Sequence, residues 1–154
     1  MSAEGFSVYI NVEEPYAVGE DAVRRAVLSA LQVGGAAPPA ALTVTITGAE
    51  QVRELNRTYA GNDYETDVLS FPAEDEPYAV EPGDPPYLGD VIIAYPVAAQ
   101  QAQEAGTPLM VEIMTLAVHG TLHLLGYDHD EPERQAEMWA LQSAAVDAVR
   151  GEGL

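Results

Sequence analysis

All three histidines of the chain fall within the eleven residues His119-Gly120-Thr121-Leu122-His123-Leu124-Leu125-Gly126-Tyr127-Asp128-His129. His119 and His123 stand four apart, which on a helix puts both imidazoles on one face, about 5–6 Å from each other and within reach of a single ion. Gly126 is a helix stop, and the turn Gly126-Tyr127-Asp128 can bring His129 back over the same face. Three imidazoles suit zinc, and three protein ligands with a fourth position open describe a catalytic centre better than a closed structural one. One zinc ion per chain would activate water or polarise a phosphoryl or carbonyl oxygen, so the chemistry implied is hydrolysis. A purely structural zinc is the competing reading and needs a fourth ligand such as Asp128 or Asp130.

The carboxylates around the cluster narrow the choice. A zinc peptidase helix carries His-Glu-x-x-His with the glutamate as general base, whereas Gly120 occupies that place here. Asp128, beside His129, is a candidate base or acceptor for an imidazole N–H, the acceptor role being preferred, and His119, Asp128 and Arg57 are the predicted catalytic residues. Glu112, seven residues before His119, reads as a solvated carboxylate near a helix start. The chain has no cysteine, which excludes disulfide scaffolds and thiolate metal sites.

The elements that must position these residues follow from periodicity. Phe6 to Val12 and Leu42 to Thr47 alternate as strands, with Asp67 to Phe71 and Gly89 to Ala94 as two more. Glu20 to Val33 carries Val23, Ala26, Val27, Ala30 and Leu31 at helical spacing before Gly34-Gly35, and Ala49 to Tyr59 reads as a second helix. Helices are predicted around Val97 to Ala105, from Leu109 to Leu125 and from Glu131 to Arg150, the last with Asp130 and Glu133 at capping-box spacing. The acidic, proline-rich stretch 73–87 reads as a solvated surface loop, and 151–154 as a flexible tail. The predicted fold is α+β: a single domain over 1–154, with a small mixed sheet of about four strands packed against about five helices and the metal site on a helix and the following turn.

Charge limits the partners. The chain has 25 Asp and Glu against 6 basic residues, every one of them Arg, for a formal net charge of −19. A broad grip on phosphate backbones needs a basic face, so any nucleic-acid contact must be local, and a basic protein partner is the sharper alternative to plain solubility. No stretch has the roughly 18 apolar residues a membrane span requires, and Met1-Ser2-Ala3-Glu4-Gly5 has no leader character, so the expected location is cytoplasmic, with no membrane partner.

Three motifs together carry a family resemblance. His119-Gly120-x-Leu122-His123-Leu124-x-Gly126-Tyr127-Asp128-His129 closely resembles the signature of the YbeY family of bacterial metal-dependent endoribonucleases. Leu55-Asn56-x-x-Tyr59-x-x-x-Asp63-x-x-Thr66-Asp67-Val68-Leu69-Ser70-Phe71-Pro72 is similar to its second motif, and Leu88-Gly89-Asp90-Val91 to its third, in the family's order. The resemblance implies one metallo-endoribonuclease domain with one zinc, cleaving single-stranded RNA and not DNA. It also implies roles in small-subunit ribosomal RNA maturation and ribosome quality control, with the ribosome or a basic ribosomal protein as partner. Thr66, Asp67, Ser70 and Asp90 occupy family positions, either lining a cleft or serving strand-end packing. One departure stands out: where the family generally has a phosphate-binding arginine after the tyrosine, this chain has Ala60. Arg57, four residues after Arg53, is the candidate replacement, and Tyr59 or Tyr127 are candidate stacking surfaces. Two other readings compete: a zinc-stabilised, non-catalytic ribosome-associated binding protein, which Ala60 favours, and a zinc hydrolase of a non-RNA substrate.

Overall fold

The structure, a computed structural model, describes residues 5–61, 66–73 and 86–150. Asp63 of the second motif, nearly all of the acidic 73–87 stretch and the 151–154 tail lie outside the described residues. The elements are β1 (Phe6–Val12), α1 (Glu20–Val33), β2 (Ala40–Thr47), α2 (Ala49–Leu55), β3 (Val68–Pro72), β4 (Tyr87–Ala94), α3 (Tyr95–Ala105), α4 (Leu109–Leu124) and α5 (Pro132–Val149). The sheet order is β1-β2-β4-β3, parallel except for β3, which runs antiparallel to β4. This is the mixed sheet with helices that the alternation of patterns predicts.

Period-two patterning assigns the two faces of the sheet. Leu42, Val44, Ile46, Val91 and Ile93 point to one side, where they form the main core with Val23, Val27 and Leu31 of α1 and Ile113, Leu116 and Ala117 of α4. Ile92 and Ala94 point to the other, packing with Val52 and, more peripherally, Leu55, Leu69, Phe71 and Val97. α4 is buried on two sides: its Val111, Met114, Val118 and Leu122 join Ala26 and Ala30 of α1 and Met138, Ala145 and Val146 of α5 in a second cluster. Each fully buried aliphatic side chain contributes about 1.5–3 kcal/mol, so this doubly packed helix is a rigid base for anything it carries.

Three local expectations are modified. Helical winding does run from Ala49 past Leu55, but residues Asn56–Ala60 form a wide π-type turn. Pro72 is the last residue of β3, opposite Gly89, instead of lying beyond the strand; β3 is an edge strand, where a missing N–H is tolerated. The capping box does not form. With Pro132 at the first helical position, the cap falls on Glu131, which makes no side-chain cap bond, and the Asp130 carboxylate instead takes Arg134 at 3.1 Å.

Candidate metal centre

The last two turns of α4 carry His119 and His123, and the chain reverses directly after them. The Tyr127 N–H donates to Leu122 O (3.1 Å) and the Gly126 N–H to His123 O (3.0 Å). Those two bonds make the Schellman end of a helix, which requires a residue with positive φ, supplied by Gly126 at +100°. Tyr127 pins the reversal to the body of the protein by donating its hydroxyl to Gly34 O at the end of α1 (3.0 Å). His129 is thereby returned over His119 and His123, with ring centroids 5.7 and 5.3 Å from theirs.

The three histidines offer ligand nitrogens that all lie within 4.8 Å of one another. The Nε2 atoms of His119 and His123 are 3.1 Å apart. His119 Nδ1 donates to Gln142 Oε1 of α5 at 2.8 Å, which puts the proton on Nδ1 and leaves the Nε2 lone pair facing the other histidines. A neutral-imidazole donor set converging in this way fits a metal ion. Thr66, Asp67, Ser70, Pro72, Tyr127 and Asp128 are among the residues lining the adjoining open cleft of about 540 Å³, and no arginine is among those residues.

Electrostatics favour the ligand state. Burial pushes the His119 and His123 imidazoles below their ordinary value; the Gln142 bond opposes this at His119, and the neighbouring His119 reinforces it at His123. The sign for stability follows: with folded values below the unfolded one, the unfolded chain binds more protons, so stability rises with pH across that window. The contribution is fully present above about pH 6.5, the ordinary imidazole value, and lost as pH falls through the folded values. In chelator, the urea midpoint is expected to fall between about pH 7.5 and pH 5, and to fall less in a His119→Gln/His123→Gln variant. An equal drop in both would remove the histidines as the cause.

Asp128 lines the cleft and accepts the backbone N–H of His129 at 2.7 Å. That bond, with His123, His129 and Arg134 nearby, holds its carboxyl below the usual carboxylate range. Its hydrogen-bond partner is thus backbone; the imidazole acceptor in place is Gln142. Glu112, predicted to be solvated, is half-buried, and burial followed by the Asp67 charge raises its pKa. With its amide NH₂ turned to them, Gln101 of α3 donates to Glu112 Oε2 (3.0 Å) and Asp67 Oδ2 (3.3 Å).

Other predicted residues are dispersed. Ser70 Oγ donates to Gly120 O at 3.0 Å, tying β3 to α4. Asp90 accepts the Tyr87 hydroxyl at 2.8 Å on the open sheet face, outside the cleft. Arg57 pairs with Glu54 on its own helix and does not line the cleft, while Tyr59, 70% exposed, packs edge-on against Phe71.

Sequence reasoning missed Gln142 and Trp139. They lie three apart on α5 and both reach His119, Trp139 with a ring centroid 5.6 Å away. Only helical spacing within α5 links the two, and it does not say which helix they face. Gln142→Leu is expected to weaken metal binding about 10–100-fold, as losing an outer hydrogen bond to a ligand histidine does, and Gln142→Glu to restore it. Competition with a chromophoric chelator measures this; unchanged affinity in the leucine variant would make the contact incidental.

Comparison with known proteins follows the same outline. The family described as Endoribonuclease YbeY matches residues 10–150. The chain is similar to an Endoribonuclease YbeY of Moorella thermoacetica, 44% identical over 146 residues, covering 90% of this chain and 94% of that protein. An Endoribonuclease YbeY of Salinispora tropica is 40% identical over 151 residues, covering 94% and 96%. The solution structure of TM1509 from Thermotoga maritima superposes with a TM-score of 0.64 at 26% identity, covering 94% of this chain and 90% of that one.

Proposed function

The chain belongs to the YbeY endoribonuclease family, and on that premise we propose that it cleaves single-stranded RNA internally, using one zinc ion held by His119, His123 and His129. The observation that carries this is the convergence of three imidazole nitrogens within 4.8 Å of one another, beside an open cleft. When bound, zinc supplies Lewis-acid activation of water and of the phosphoryl oxygens. His119, His123 and His129 supply the ligand nitrogens, and the Gln142 bond keeps the His119 lone pair directed inward. Asp128, ionised and facing the cleft, is the acceptor for the proton that the attacking water gives up.

Arg57 is assigned to a phosphate flanking the reacting one. Its pair with Glu54 is exposed, and such pairs are worth about 0–1 kcal/mol, so a phosphate can displace the glutamate. Arg57→Ala is then expected to raise KM about threefold and leave kcat alone, since one exposed charge-assisted contact is lost from binding. Steady-state cleavage of a short RNA tests this, and unchanged KM would remove Arg57 from the site.

The absence of arginine from the residues lining the cleft, together with the net charge of −19, points to a basic partner that brings the RNA. Small-subunit ribosomal RNA in the cytoplasm, presented by the ribosome or a basic ribosomal protein during maturation and quality control, is the substrate proposed. The experiment is elemental analysis of purified protein followed by cleavage of one RNA, single-stranded and as a duplex, with chelator and with zinc returned. One zinc per chain and chelator-sensitive cleavage of the single strand are expected. Bound zinc without cleavage would leave a binding protein.

A further inference from the structure

Trp139 is the one tryptophan of the chain. It sits on α5 in the stretch 131–140, where Met138 alone is buried, and its own side chain is 41% exposed. The helix packs inward through Met138, Ala145, Val146 and Val149, so the indole is not the residue that anchors α5. Its ring nevertheless lies 5.6 Å, centroid to centroid, from both His119 and His129. Among the described residues none accepts a hydrogen bond from the indole N–H. An aromatic surface and a spare donor therefore stand beside two of the three candidate metal ligands, next to the cleft but not among the residues that line it.

Charge explains what such a surface is for. Affinity for RNA ordinarily comes from neutralised phosphates, and a chain of net charge −19 without an arginine among the cleft-lining residues has little of that to give. Stacking of a base on an aromatic ring needs no charge and works only on a base free of a duplex. Resting on the RNA-cleaving reading above, we propose that Trp139 forms a nucleobase subsite, on which an unpaired base next to the phosphate under attack stacks. Purines, with the larger π face, are the preferred occupants. Single-strand selectivity and tolerance of an acidic surface then have one source.

The test uses zinc-loaded protein with 2′-O-methyl hexa-adenylate and hexa-uridylate, which bind without being cut. Anisotropy of labelled oligonucleotide reports binding; emission from the single tryptophan, with unlabelled oligonucleotide, reports stacking. Expected results are quenching that saturates over the same concentrations as the anisotropy, and tighter binding of adenylate. Trp139→Ala should bind adenylate about tenfold more weakly with the adenylate preference gone, and Trp139→Phe should recover most of the loss. Zinc content should match the wild type in both variants. Binding by anisotropy with unmoved emission and an alanine variant as tight as wild type would overturn the subsite and leave the RNA reading standing. Zinc loss in both variants would instead make the indole a packing wall for the histidines, also overturning it. If neither oligonucleotide binds and unmodified RNA is not cut, the RNA reading itself fails and the subsite with it.

Discussion

His123→Ala is expected to weaken zinc binding about 10²–10³-fold, so that the purified protein carries little zinc, and to cut RNA cleavage accordingly while leaving the fold intact. Structural zinc sites with four ligands bind with about 10–16 kcal/mol, so one ligand accounts for roughly 3–4 kcal/mol, or about 10²–10³-fold in affinity. His123 is the informative choice because its imidazole is half-buried at the end of α4 and is not one of the buried core residues, so its truncation removes no core side chain. His119 would confound the result, since its loss also strands Gln142, which accepts its Nδ1 proton at 2.8 Å. Elemental analysis gives the metal content, far-ultraviolet circular dichroism the fold, and a labelled RNA the cleavage. A contaminating nuclease would ignore the substitution. Full zinc occupancy and full cleavage in the variant would dismantle the three-histidine site.

The i, i+4 pair, the glycine stop and the third histidine were legible because they depend on local geometry: one turn of helix and one reversal set by Gly126. The strands were legible for a similar reason, since alternation such as Leu42-Thr43-Val44-Thr45-Ile46 separates a buried face from an open one. What the sequence did not disclose depends on contacts between distant segments. Gln142 lies 23 residues from His119, and nothing in the spacing of polar residues on α5 distinguishes it from a solvated glutamine. Glu112 reads as solvated from its sequence neighbours alone; in the fold it is half-buried, and burial followed by the charge of Asp67, just ahead of β3, raises its pKa, while Gln101 of α3 donates to its carboxylate. The Asp130–Glu133 capping box had the right spacing and lost to a competing choice, Pro132 fixing the start of α5 and Arg134 claiming Asp130. Local pattern thus brought out the three candidate ligands, while the residues that orient them belong to tertiary packing.

Gly120→Glu, which would write the peptidase motif into α4, is expected to unfold the protein at a much lower temperature instead of creating a peptidase. A Cβ at position 120 would stand 2.5 Å from Val91 Cγ1 and 3.1 Å from Val91 Cγ2 and Ser70 Oγ. This face of α4 lies directly on β4 and β3, held there by the Ser70 hydroxyl on Gly120 O. Gly120→Ala alone sets overpacking of about 1–3 kcal/mol against a gain in helix propensity of about 1 kcal/mol, so it should destabilise only modestly. The glutamate adds a carboxylate forced into an apolar, buried contact with no partner, for a total of at least about 4 kcal/mol. In a domain of this size each kcal/mol moves the melting temperature by about 2–4 °C, so the glutamate variant should melt at least about 8 °C below wild type and the alanine variant within a few degrees of it. Calorimetry of both variants in chelator separates this from any change in metal binding. A glutamate variant melting beside the wild type would mean that α4 can lift from the sheet at Gly120, and that glycine there is a choice of chemistry and not of packing. The close approach also bears on the proposed reaction: a side chain at position 120 would be turned against Val91 and Ser70 of the sheet, which leaves the role of proton acceptor to carboxylates that line the cleft, Asp128 in the turn after the helix or Asp67 just ahead of β3.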